Sequence, residues 1–166
     1  MAPPWLTLSL GFLQQMGLSF LLGGFVIAAL SDLKYMGAQK EFGQVWVVSI
    51  LGFLALDAWL NFLVDPTSFA VKLLLIVVFA AVSNNRTGWF FSLAIGDIMA
   101  VAAVLAVLPW VYGVIFLIFL KVLDLLMRPL LRVAGRGDAY PFMPVIVVAA
   151  VAVLAFAYLI APAIPL

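Results

Sequence analysis

The chain has 166 residues, 68% of them hydrophobic, and a net charge of +1 from 8 Lys+Arg and 7 Asp+Glu. Soluble domains run at roughly 45–50% apolar, so the composition excludes one. Six membrane crossings of about 20 residues each would use about 120 residues and leave no room for a separate soluble domain. The near-neutral charge excludes a nucleic-acid surface, which needs clustered cations against phosphate. With no Cys and no His, disulfides, zinc sites and imidazole catalysis are excluded too.

The first apolar run, 5–31, has no basic stretch before it and reads as a retained helix, not a signal peptide. A polar stretch from Asp32 to Glu41 leads to a second run at 44–64, which closes at Asp65 and Pro66. A third, short run spans 68–82. Ser83, Asn84, Asn85, Arg86, Thr87 and Gly88 then make a turn before a fourth run at 89–108. Pro109 breaks this from a fifth at 110–127, and a sixth follows the basic stretch at 141–160. The expected fold is all-α, one domain over 1–166 forming a bundle of six transmembrane helices.

Lys34, Lys40, Arg86, Arg128, Arg132 and Arg136 fall in alternate loops, while the turns at Asp65 and Pro109 hold no basic residue. Basic loops near spanning helices stay in the cytoplasm, so both termini are expected to be extracytoplasmic. Lys72 and Lys121 lie near the ends of apolar runs, where they would snorkel. Asn85-Arg-Thr87 fits a glycosylation acceptor, but on the cytoplasmic side it would stay unmodified.

Carboxylates within membrane segments are costly and each needs a reason. Asp124 stands three residues after Lys121 and four before Arg128, all on one helix face, which suits a local ion-pair cluster. Asp57, about 20 Å from the inner face at 1.5 Å per residue, is expected to pair with Lys72 or Asn61. Asp32 and Asp97 differ, because both come at the cytoplasmic ends of their runs beside small residues. Gly24, Ala28 and Asp32 recur every fourth residue, and Gly96, Ala100 and Ala103 accompany Asp97, so both helices could pack closely. Two carboxylates within a few Å share a proton. One can then activate water while the other protonates the carbonyl oxygen or leaving amine, the minimum equipment of an aspartyl protease. The plainer alternative is two interfacial aspartates at unrelated helix ends.

Ser31, Asp32, Leu33, Lys34 and Tyr35, followed by Trp46, resemble the first aspartate motif of the type IV prepilin and preflagellin peptidases. Ala94, Ile95, Gly96 and Asp97 resemble the second, Gly-x-Gly-Asp, with a small-residue helix after it ending near Pro109. The 65-residue spacing of the aspartates and the proline-containing stretch Tyr140 to Pro144 also match. Two departures stand out: Ala94 replaces the first glycine, and the usual Ile-Pro-Asn after the first aspartate is absent. The resemblance implies that Asp32 and Asp97 are catalytic and that neither metal nor cofactor is needed. It also implies that the substrates are pilin-like or flagellin-like precursors, cut behind basic leader peptides at the cytoplasmic membrane face. The form would be the short, peptidase-only one. A non-catalytic scaffold of a pilus or secretion machine is one alternative, and a small proton or cation carrier using Asp32, Asp57 and Asp97 is another.

The depths of the two aspartates conflict at this stage. If Trp89 marks the inner interface, Asp97 lies about 12 Å below it, whereas Asp32 ends its apolar run near the surface. The expected resolution is that the first helix continues past Asp32 through Leu33, Tyr35 and Met36.

Overall fold

The computed structural model describes residues 11–35, 40–63, 65–83, 91, 93–134 and 141–160. Among them lie six α-helices: α1 (Phe12–Tyr35), α2 (Lys40–Asn61), α3 (Pro66–Ser83), α4 (Ile95–Val107), α5 (Trp110–Ala134) and α6 (Met143–Ala155). A π-helical turn, Phe156–Ile160, continues α6. The chain is all-helical over these elements, and α1, α2, α3 and α5 are long and apolar enough to cross a membrane.

The short helix α4 is the axis of the structure and packs against all five others. From Ala100 to Val107 every side chain is buried. A helix of 13 residues extends about 20 Å, less than the roughly 30 Å of bilayer hydrocarbon. Enclosure by protein makes this length tolerable, because non-helical backbone at membrane depth is stable where other protein covers it. The stretch before α4 has that character. Phe91 and Leu93 are buried, and the Leu93 N–H donates to the Ser83 carbonyl at 3.0 Å. Phe91, Leu93 and Ala94 are not helical, so the expected fourth span is corrected to a helix that begins at Ile95. Hydropathy registers apolar composition, and buried non-helical backbone satisfies it as well as a helix does.

The outer helices turn apolar side chains outward. Val48 is 70% and Trp59 85% exposed on α2, where Trp46 is the one large apolar side chain that is buried among the described residues. In water such a surface would drive aggregation, whereas acyl chains solvate it. Helices α1 and α6 pack together, and Ala28 of α1 and Ala149 and Ala150 of α6 are fully buried.

Small residues permit close approach without compelling it. A side chain on Gly24 would meet open space, and one on Gly96 would stand at an ordinary 4.0 Å from the Trp46 ring. The expected close packing at these two glycines is absent; buried Ala28, Ala100 and Ala103 supply it instead. The tight contact on α1 falls at Gly17, where a Cβ would lie 2.7 Å from the Phe53 ring.

The turn from α2 to α3 is chemically explicit. Asp65 precedes Pro66, whose missing N–H costs nothing in a helical first turn. The Asp65 carboxylate accepts the Ser68 N–H at 3.1 Å and the hydroxyls of Thr67 and Ser68. These bonds, that of the Ser68 hydroxyl foremost, hold its pKa down at about 2 against an ordinary 3.8. Because the folded value lies below the unfolded one, the cap stabilises fully above about pH 4 and fades as pH falls through about 2. Thermal midpoints taken across that window should drop further in wild type than in Asp65→Asn, whose amide still caps but does not titrate. Equal drops would show that the cap is not charged in the way described.

Candidate active site

Asp32 lies in the last turn of α1, the negative end of the helix dipole, where a carboxylate is unfavourable. The N-terminus of α6 offsets this. Asp32 Oδ2 accepts the Met143 N–H at 3.2 Å, and the Phe142 N–H adds a second contact. At 8% exposure the carboxylate is nearly enclosed. Pro144 in the first turn of α6 gives up an N–H that would have no helical partner, and so marks where this helix begins.

Asp97 occupies the first turn of α4, the favourable end for a negative charge. Its carboxylate reaches back to the backbone N–H of Ala94, the residue that caps the helix. The two aspartates, 65 residues apart in the chain, come close enough for their charges to act on each other. Asp97 is two residues past the start of its helix at Ile95. Helix α1 does continue past Asp32, through Leu33, Lys34 and Tyr35; Met36 lies outside the described residues.

Aromatic rings frame the pair. Trp46 packs on Phe25 at 5.7 Å and Phe42 at 6.1 Å, and lies beside Gly96. Phe91 packs against Phe79 at 6.1 Å and edge-on to Phe142 at 5.8 Å. These contacts link the stretch before α4 to the start of α6, so the elements that carry the Asp97 carboxylate and the Asp32 donors are braced together. Sequence reasoning missed both the Met143 N–H and this bracing. The run Tyr140 to Pro144, which signals a helix start, could have pointed to the first.

The other membrane carboxylates are engaged elsewhere. Asp57 accepts Lys72 Nζ at 2.6 Å and Asn61 Nδ2 at 2.8 Å, so both expected partners are present at once. Lys72 is 4% exposed, and its Nζ also reaches the Ala106 carbonyl at 3.4 Å. It turns into the protein, where Asp57 and an open carbonyl at the end of α4 take its protons. Asp124 is fully buried and accepts Arg128 Nη2 at 2.7 Å. Lys121 sets its ammonium 4.4 Å over the Phe91 ring, a cation–π contact.

No family model, curated protein or solved structure matches the chain.

Proposed function

We propose that the chain is a membrane-embedded aspartyl endopeptidase of the type IV prepilin and preflagellin kind. Its substrates are pilin-like or flagellin-like precursors, cut behind their basic leader peptides at the cytoplasmic face of the cell membrane. The meeting of Asp32 and Asp97 carries this reading. Asp57, Asp65 and Asp124 are each taken up by an ion pair or a helix cap, whereas Asp32 and Asp97 face each other's charge with backbone N–H groups as supports.

Water held between the two carboxylates attacks the scissile carbonyl carbon. One carboxylate takes the water's proton while the other, protonated, gives its own to the carbonyl oxygen. Collapse of the resulting diol breaks the C–N bond, and the leaving amine takes up a proton. Neither metal nor cofactor enters these steps.

Ala94, which replaces the family's glycine, has φ −67° and ψ 156°, a region open to any residue. The substitution therefore introduces no backbone strain and gives no reason to prefer an inactive scaffold. The deciding experiment incubates purified protein in liposomes with pilin-like precursors from the same organism. Cleavage just ahead of the precursor's hydrophobic helix is expected. Intact precursors, with protein that remains folded, would favour the scaffold.

The alternation of basic stretches along the chain supports a topology with both termini and the Asp65 turn outside and the aspartate pair at the cytoplasmic face. The native chain has no thiol, so single cysteines report cleanly. An impermeant reagent applied from outside should label Thr67→Cys and spare Asn85→Cys and Gly135→Cys. The reverse pattern would put the aspartates on the wrong side for this substrate.

A further inference from the structure

The end of the bundle away from the aspartate pair holds a cleft of about 380 Å³ between the start of α1 and the end of α2. Gln14, on its wall, is about 27 Å along α1 from Asp32. The cleft thus stands apart from the catalytic reading and does not depend on it. Its volume is within the range of small-ligand sites, roughly 300–1,000 Å³.

Four polar side chains reach it: Gln14, Asp57, Asn61 and Lys72. The Asp57–Lys72 pair ties α3 to α2 and to the end of α4, yet it does not exhaust the polar capacity of the wall. An ammonium has three protons, and Lys72 spends two on Asp57 and Ala106. Asn61 donates its Nδ2 to Asp57 and keeps its Oδ1 as an acceptor. Gln14 accepts the Gly11 N–H through Oε1 and keeps its Nε2 as a donor. The rest of the wall is apolar, and Phe12, Leu13, Leu56 and Leu60 are exposed on the faces that α1 and α2 turn outward. The cleft therefore opens sideways, toward acyl chains.

This pattern selects among ligands. The charges of Asp57 and Lys72 cancel, so a purely anionic or purely cationic group gains at one residue what it loses at the other. A group carrying both charges gains at both. Acceptors on the acidic side favour an ammonium with N–H protons over a quaternary one, which has none to give. We propose that the cleft seats the zwitterionic, primary-amine headgroup of a bilayer phospholipid, phosphate against Lys72 and Gln14 and ammonium against Asp57 and Asn61, with its acyl chains leaving between α1 and α2.

The test presents the purified full-length chain in detergent with phosphatidylethanolamine, phosphatidylcholine or phosphatidylglycerol of identical acyl chains, and counts retained lipid by native mass spectrometry. Phosphatidylethanolamine should be retained about tenfold over each of the others, the weight of one charge-assisted hydrogen bond. Gln14→Leu and Asn61→Leu, neither of them in the buried core, should fold normally and bring the three lipids toward parity. Parity in wild type would mean a cleft that takes acyl chains alone, and preference for phosphatidylglycerol a simple cation site. Either result overturns the proposal, as does full selectivity persisting in both variants.

Discussion

Replacing Asp32 or Asp97 by Asn should lower precursor cleavage by at least about 10²-fold, and by as much as about 10⁴-fold, the usual contribution of a positioned general acid or base. Asp57→Asn and Asp124→Asn should leave it measurable. An amide can neither take the water's proton nor supply one, yet it keeps the shape of the carboxylate. In Asp32→Asn the amide oxygen can still accept the Met143 N–H, so the junction of α1 and α6 survives. Asp97→Asn retains an acceptor for the Ala94 N–H in the same way. Loss of activity with unchanged melting is therefore the outcome specific to chemistry. Loss of cleavage in Asp57→Asn, in protein that still purifies as folded, would move the catalytic assignment to the other end of the bundle.

The largest effect on stability should come from Lys72. Its side chain is 5% exposed and joins Asp57 on α2 to the carbonyl at the end of α4. Lys72→Met leaves a mostly buried carboxylate facing apolar surroundings, with only Asn61 to solvate it. Breaking one side of a buried pair costs about 3–5 kcal/mol, whereas replacing both partners by apolar residues is often neutral. The double variant Lys72→Met with Asp57→Leu should accordingly recover most of the loss. Thermal unfolding in detergent, run as a double-mutant cycle, measures this. A double variant no better than Lys72→Met would mean that the Ala106 carbonyl, and not Asp57, is the partner that matters.

Much of the helical content was legible in the order of residues. Apolar runs of spanning length, broken at Asp65 and Pro66 and at Pro109, marked α2, α3 and α5 because a bilayer-facing helix needs apolar side chains all round; the fifth run, expected to end at 127, instead continues through Pro129 to Ala134. Charge spacing also sufficed for the local pair of Asp124 and Arg128, four residues apart on one helix.

What lay beyond sequence reasoning depended on neighbours distant in the chain. That Phe91 and Leu93 are buried without being helical turns on their enclosure by other elements, which hydropathy does not register. Gly24 had the same local pattern as Ala28, but only one of them faces a packed helix. Lys72 could have reached for the membrane surface, but tertiary packing sets it against Asp57 and the end of α4. The aspartate pair shows both sides of this division. Composition and motif could single out Asp32 and Asp97 as carboxylates in need of a reason. Their meeting, and the Met143 N–H that steadies Asp32 at the unfavourable end of its own helix, follow from how α1, α4 and α6 pack, because charge interaction and hydrogen bonding act across space and not along the chain.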